Sequence, residues 1–334
     1  MEKILTISIA AYNAEKDIAR CLDSLIATGI IEKLDVVIVN DGSVDQTAEI
    51  ANSYVKKYVN SIRLINKQNG GHGSTINASI KVAKGKYYKI LDSDDWVESL
   101  NLKKLVDFLE ENDIDMVLNP YHEISYSDHS IRKLVKYEKQ NLIYNKKYDI
   151  SALNDNHVLF MHSLTFKTDI MKKMGSIIDE HCFYVDMEYC VFPMLYIKSF
   201  VCLEFPVYQY LLGSQTQSMN MQNMIKRRDQ HMKVTKRLIS FYYQNEDLFS
   251  GNVKNIIRTR IKYAIYQQYK IFFSMTGKEA ILEVKDFDSW LKSIDLDFYK
   301  GVNGRFMKII NFNRRTNYIF FDFIVKIIKN LNIK

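Results

Sequence analysis

Proline occurs only 3 times in 334 residues and glycine only 12 times. Those shortages leave no low-complexity linker and little room for a glycine-rich all-β design. No internal repeat is present. No run of about 18 uncharged apolar residues occurs, so no membrane-spanning helix is expected. The four cysteines (Cys21, Cys182, Cys190 and Cys202) form no C-x-x-C pair and no zinc spacing. They read as reduced, mostly buried thiols of a cytosolic protein.

What is present is ordinary in bulk. Hydrophobic residues make up 47% and charged residues 25%, as in a soluble globular chain long enough for one large domain plus an appendage, or for two domains. Residues 1–11 carry a short apolar run. Its β-branched content and the strand-turn-helix pattern after it predict a first strand rather than a signal peptide. The net charge of +7 gathers at the other end: residues 301–334 hold seven Lys/Arg (Arg305, Lys308, Arg314, Arg315, Lys326, Lys329, Lys334) against one acid, Asp322.

Apolar runs at Leu5–Ala10, Leu34–Val39, Ile62–Asn66, Tyr87–Leu91 and Asp115–Leu118 read as strands. Between them Ala14–Ala27, Asp45–Tyr58, Ser74–Lys84 and Leu100–Asn112 have helical spacing. Such alternation predicts parallel strands with right-handed crossovers and helices on both faces. In sheets of this kind the ligand lies beyond the carboxyl ends of the strands. Four polar clusters fall there: Tyr12-Asn13, Asp41, Asn69 to Gly73, and Asp92 to Asp95.

The last cluster, Asp92-Ser93-Asp94-Asp95, puts three carboxylates within four residues. Adjacent negative charges repel, and hard oxygen ligands at this spacing suit Mg²⁺ or Mn²⁺ shared with substrate phosphates. The competing reading is capping, with Asp94 or Asp95 closing a helix that begins near Val97. Convergence of four polar clusters on one rim favours a site. The turn after strand one has no glycine, which argues against a dinucleotide fingerprint and a P-loop. The later turn Gly70-Gly71-His72-Gly73 either lets phosphate approach a helix N-terminus or is a tight turn without a ligand.

Three segments together carry a family resemblance: Ala11-Tyr12-Asn13-Ala14-Glu15, Asn40-Asp41-Gly42-Ser43-Val44-Asp45-Gln46-Thr47, and Gly85 to Asp95. They resemble the nucleotide-sugar domain of family-two inverting glycosyltransferases, over about residues 1–220. The resemblance implies a GT-A fold, an α/β Rossmann-like, mainly parallel mixed sheet flanked by helices. Residues 1–220 would form the transferase domain, with a nucleotide-sugar half at about 1–120 and an acceptor half at about 121–220. Residues 221–334 would form a helical C-terminal region.

The implied roles follow position by position. Ala10 and Tyr12 would line the nucleoside pocket, the Tyr12 ring packing on the base. Asp41 would accept a hydrogen bond from the base ring N–H. Asp92 would hold the ribose or the metal, and Asp94 the metal that bridges the diphosphate. Asn69 and Ser93 complete the nucleotide-binding set, and Asp95 would contact sugar hydroxyls or cap the following helix. The family often carries an Arg facing the nucleotide where this chain has Ile76; His72 or Lys67 are the substitutes in reach. In Phe183-Tyr184-Val185-Asp186-Met187-Glu188, Asp186 matches the family's catalytic base. Val185 replaces its usual acidic neighbour, and Glu188 is the alternative base. Asp186 could also cap the helix that follows it. His157, His162 and His181 read as structural hydrogen-bonders, and Gln215 and Gln217 receive no role.

Beyond Met224 the chain reads as helices, for example Met224–Tyr243 and Val253–Met275. The basic, aromatic end either lies in a membrane interface next to anionic lipid or packs on the catalytic domain or a second copy. Nucleic acid is not expected as a partner, because no binding motif accompanies the charge. The leading expectation is a metal-dependent inverting glycosyltransferase, using Mn²⁺ or Mg²⁺ and a UDP-sugar. Its acceptor would be a glycan or lipid-linked molecule of surface polysaccharide, at the cytoplasmic face of the membrane. A non-catalytic sugar-nucleotide or glycan-binding scaffold is the alternative. A nucleotidyltransferase is disfavoured by the missing glycine loop near strand one.

Overall fold

Side chains on a strand alternate between the two faces of a sheet, and the strands here carry apolar residues on both faces. The computed structural model describes residues 2–136, 142–153, 158–214, 217–249, 251–301 and 304–330. On the strand Tyr87–Asp92, Tyr88 and Ile90 join one apolar cluster while Tyr87 and Leu91 join another. The strand Met116–Leu118 divides in the same way, with Met116 and Leu118 on one side and Val117 on the other. A sheet buried on both faces follows, with helices supplying the cover.

That sheet has eight strands. β1 (Leu5–Ala11), β2 (Leu34–Asn40), β3 (Ile62–Asn66) and β4 (Tyr87–Asp92) run parallel. The spatial order is β3-β2-β1-β4, continued by β10 (Leu164–Lys167), β6 (Met116–Leu118), β11 (Ser199–Cys202) and β9 (Lys147–Asp149). β10 runs antiparallel to both of its neighbours, so the sheet is mixed. A second sheet joins β5 (Trp96–Val97), β12 (Tyr208–Leu212), β7 (Tyr121–Ser125) and β8 (Ile131–Val135), in the order β5-β12-β7-β8.

Helices α1 (Ile18–Ile26), α2 (Thr47–Lys57), α3 (His72–Val82) and α4 (Ser99–Glu111) fall where the periodicity places them, within a few residues at each end. Helix α4 starts at Ser99, and Glu98 caps it by accepting the Asn101 amide. Neither Asp94 nor Asp95 caps a helix at Val97, because Trp96-Val97 is a strand paired with β12.

Helices α5 (Thr168–Met174) and α6 (Asp186–Val191) precede β11, and after β12 the chain becomes helical. It runs through α7 (Met221–Lys226), α8 (Arg228–Gln244), α9 (Gly251–Phe272), α10 (Lys278–Ile294), α11 (Leu296–Lys300), α12 (Arg305–Arg315) and α13 (Phe321–Asn330). The helix expected over Met224–Tyr243 is broken at Arg227, between α7 and α8. One apolar cluster runs without interruption from Ile76 on α3 through Phe166 on β10 to Ile261, Phe287, Ile310 and Phe321. The last helices therefore pack on the rest of the chain by one face. Arg314, one of the basic residues of the tail, is turned inward onto Asp288 at 2.8 Å, with Tyr269 and Tyr318 donating to the same carboxylate. The opposite face leaves Phe312, Ile319, Phe320, Phe323 and Ile327 exposed. No helix among the described residues is long and apolar enough to cross a membrane. All four cysteines are buried and unpaired.

Candidate functional site

The loops after the parallel strands are stitched into one rim. Asn13 accepts the Val44 amide, and the Asn13 amide donates to Ser43 Oγ, each at 3.0 Å. Ala10 lies beside Asp92 in register on adjoining strands. Tyr12, next in the β1 loop, is 55% exposed, an aromatic face left uncovered on this rim.

Asp41 is anchored by the glycine turn. It is buried. Its Oδ1 accepts the Gly70 amide and Lys67 Nζ, both at 2.9 Å, and its Oδ2 accepts the Gly71 amide at 2.8 Å. The amides of the glycine turn are thus satisfied by the chain's own carboxylate. Lys67 is held there as well, so of the two substitutes in reach only His72 faces the cavity described below, and burial pushes its imidazole down toward the neutral form. Asn69 donates to the Asp41 carbonyl at 2.9 Å. Ile76 is fully buried in the core, which is why no polar group stands at that position.

Gly73 has another function. A Cβ there would lie 2.0 Å from the Asp179 carbonyl oxygen. Its absence lets the segment before α6 pack onto the start of α3, where Asn77 Nδ2 donates to the Ile178 carbonyl at 2.8 Å and the His181 amide donates to Gly70. This contact carries Asp186, the first residue of α6, across from β4.

The carboxylate turn is fastened by β12. The Asp92 amide donates to Tyr208 Oη at 3.1 Å, and that hydroxyl donates to Asp95 Oδ2 at 2.6 Å. The Leu211 amide donates to Asp95 Oδ1 at 2.7 Å. Asp95 is therefore a buried tether, not a group offered to sugar hydroxyls. Arg20 fixes the turn from α1 by donating to the Asp94 carbonyl at 2.7 Å. Ser93 is buried between the two carboxylates that remain.

Oxygens of Asp92, Asp94 and Asp95 lie within 4.8 Å of one another. Burial, then the charge of Asp186, pushes the Asp92 carboxyl up to about 7. Burial, then Asp92, pushes Asp94 up to about 6. No Lys or Arg side chain pairs with either carboxylate among the described residues; His72 Nε2 approaches Asp92 at 3.5 Å. Two crowded hard-oxygen ligands lacking a counter-charge suit a divalent cation. With Asp95 occupied by Tyr208 and Leu211, Asp92 and Asp94 are the residues that fit one.

Asp92 and Asp186 open on the same cavity, of about 400 Å³. Its walls include His72, the aromatic residues Tyr121, Phe183, Tyr184 and Tyr210, and Arg260 from α9. The other predicted residues (Ala10, Tyr12, Asp41, Asn69, Ser93 and Asp94) do not line this cavity. Asp186 is half-buried and held above the ordinary carboxylate range by its enclosure, with Arg260 and His72 pulling it down. Glu188 points elsewhere: it is fully buried and its Oε2 accepts the Asp179 amide at 2.8 Å. His162 stacks on Tyr210 with ring centroids 4.0 Å apart, and burial pulls it down to about 3, so it stays neutral. His181 is exposed, and Gln217 is used within its own turn. His157 and Gln215 lie outside the described residues.

Arg260 is a wall residue for which the sequence carried no local motif. The only trace is polar spacing: Arg260, Tyr263 and Gln267 recur at helical intervals on α9, among Ile257, Ile261 and Ala264, and all three line the cavity.

Residues 6–175 match the model of a family described as glycosyl transferase family 2. A curated relative from Bacillus subtilis, "Uncharacterized glycosyltransferase EpsJ", is 37% identical over 117 residues, 35% of this chain and 33% of that protein. Another from Bacillus spizizenii, "Poly(ribitol-phosphate) beta-glucosyltransferase", is 40% identical over 118 residues, 34% of this chain and 18% of that protein. The matched segment thus spans a third or less of the length of these two relatives. Among solved structures, S. aureus TarS 1–349, alone and in complex with UDP-GlcNAc, superposes with a TM-score of 0.66 at 18% identity. The superposition covers 99% of this chain and 92% of that one. At that identity the likeness speaks for the fold: a GT-A mixed sheet flanked by helices, with helices at the C-terminal end.

Proposed function

The chain belongs to glycosyl transferase family 2, and from that premise we propose that it transfers a hexose or N-acetylhexosamine from a UDP-sugar, with inversion, to a hydroxyl of a glycan or lipid-linked acceptor. The observation that carries this reading is the meeting of Asp92 and Asp186 on one cavity. The UDP-GlcNAc complex of the structural neighbour supports a uridine nucleotide donor. The name of the Bacillus spizizenii relative, a poly(ribitol-phosphate) beta-glucosyltransferase, supports a polymeric acceptor.

In this reading the exposed Tyr12 ring packs on the base. Asp92 and Asp94 hold Mn²⁺ or Mg²⁺, which when bound compensates the charge of the diphosphate. Asp186 takes the proton from the acceptor hydroxyl. That oxygen forms its bond to the anomeric carbon as the bond to the diphosphate breaks, and the electron pair leaves on UDP. One displacement inverts the anomeric centre and needs no sugar-enzyme intermediate. His72, beside Asp92 at the start of α3, stands where the family's arginine is missing. Residues 1–220 would supply donor and base, and 221–334 would close the acceptor wall through α9.

The exposed apolar face of α12 and α13, flanked by exposed Arg305, Lys308, Arg315 and Lys326, supports a position against anionic lipid on the cytoplasmic side. The direct test of the transferase reading is UDP release across a panel of UDP-sugars with Mn²⁺, followed by NMR of the product anomer. Release without transfer to any acceptor, or a product that keeps the donor's configuration, would overturn it.

A further inference from the structure

Arg260 sits on α9, and only 4% of it is exposed. Its Nε and Nη1 are buried and have no hydrogen-bond partner among the described residues, and the Cys190 thiol lies beside the guanidinium. Its guanidinium carbon lies 5.9 Å from the Phe160 ring centre and 5.5 Å from that of Tyr263. Among the described residues the one carboxylate paired with it is Asp186, with Nη2 to Oδ2 at 3.8 Å, too long for a hydrogen bond. A buried guanidinium is costly unless an anion with good geometry compensates it. Here the fold leaves a desolvated cation in a cavity wall, with most of its donors unused. Lys133 on β8 adds a second positive charge to the lining, opposed by Glu123, its register partner on β7.

From this geometry we propose that Arg260 anchors an anionic group of the acceptor, a phosphate or a carboxylate, close to the hydroxyl that reacts. The acceptor would then be an anionic glycan or polyol phosphate rather than a neutral sugar chain. The planar guanidinium suits such oxyanions, because paired N–H groups match paired oxygens. The aromatic rings beside it restrict its rotamers and exclude water, which strengthens the contact. This inference rests on the transferase reading only in naming the cavity as the acceptor's; the anion site itself is tested without turnover.

The test is equilibrium binding to the full chain of glycerol 1-phosphate, glucuronate and glycerol, with and without saturating UDP and Mn²⁺. The wild type should bind one of the two anionic probes and not glycerol; which one binds separates phosphate from carboxylate. Arg260→Gln should weaken that probe by roughly tenfold or more, the scale of a charge-assisted hydrogen bond, and Arg260→Lys should retain part of it. Asp186→Asn should tighten the probe, because a competing negative charge 3.8 Å away is removed. That readout does not depend on the folding of an Arg260 variant. Equal binding of glycerol, no binding of either anion, or weaker binding in Asp186→Asn would overturn the proposal. So would displacement of the probe by UDP, since the site would then belong to the donor's diphosphate. Anion binding in a protein that releases no UDP would leave this inference standing while the transferase reading fell.

Discussion

Lowering the pH should expel a divalent ion from the Asp92–Asp94 turn far earlier than ordinary carboxylates would allow. Asp92 sits at about 7 and Asp94 at about 6 without a cation, against an unperturbed value of roughly 3.9. Each must be ionised to ligate, so the ion competes with a proton at both. Affinity is full above about pH 8 and falls as the pH drops through 7 and then 6. Taking the two values as those of a linked pair, the proton penalty grows about 20-fold between roughly pH 8 and pH 6, or about 1.8 kcal/mol. Two carboxyls at roughly 3.9 would change by only about 2% over the same interval. His72, 3.5 Å from Asp92, acts in the same direction when protonated, so the titration is repeated in His72→Asn to isolate the carboxylates. The assay is calorimetric titration of Mn²⁺ at three pH values. The metal-free protein should behave oppositely. The native carboxyls hold protons more tightly than the unfolded ones, so their stabilising effect is complete below the unfolded value and is lost as the pH rises through 6 and 7. Thermal denaturation in EDTA should therefore show a gain of about 1–2 kcal/mol at this site on going from about pH 8 to pH 6, and Asp92→Asn should remove most of it. Mn²⁺ affinity that stays flat across the interval would mean that the turn carries its charges freely, and the ligand argument would fail.

Further predictions rest on separate parts of the site. Asp186→Asn should lower turnover by roughly 10²–10⁴-fold, the range of general-base catalysis, while UDP affinity in Mn²⁺ stays within a few-fold; wild-type-like turnover would remove Asp186 from the mechanism. Gly73→Ala places a methyl 2.0 Å from the Asp179 oxygen and should cost about 1–3 kcal/mol in urea denaturation as an overpacked contact, together with much of the transfer activity; an unchanged denaturation midpoint would contradict the account of the α3 contact. Ile319→Glu combined with Phe323→Glu should abolish sedimentation with anionic-lipid vesicles without lowering the melting temperature. Undiminished sedimentation would show that this exposed face is not what meets lipid.

The parallel half of the sheet was legible because its strands end where polar clusters begin. Leu5–Ala10, Leu34–Val39 and Tyr87–Leu91 are short apolar runs bounded by turn chemistry, and each was found within a residue or two. The carboxylate turn was legible as a cluster but not in its division of labour. Nothing in Asp92-Ser93-Asp94-Asp95 says which carboxyl turns inward. That is decided by Tyr208 and the Leu211 amide, from a strand more than a hundred residues later. Glu188 and Asp186 look interchangeable in sequence, but two residues of helix, about half a turn, send them to different places, one to the Asp179 amide and one to the cavity.

The same logic explains why the glycine turn misleads. Glycines before a helix suggest room for a phosphate, because both phosphate and carboxylate seek free backbone amides. Here Asp41 takes the amides of Gly70 and Gly71, and Gly73 yields its space to the Asp179 backbone. The ligand in both instances is the protein itself, and the result is positional: the α3 start is locked to the segment that leads into α6, whose first residue, Asp186, shares the cavity with Asp92. Arg260 completes the pattern from still further along the chain. Its helix reads as core, and its charge is the exception on a buried face. Among the described residues its one carboxylate neighbour, Asp186, stays 3.8 Å away, and a buried guanidinium so loosely compensated is what a site built around an anionic ligand leaves in the structure.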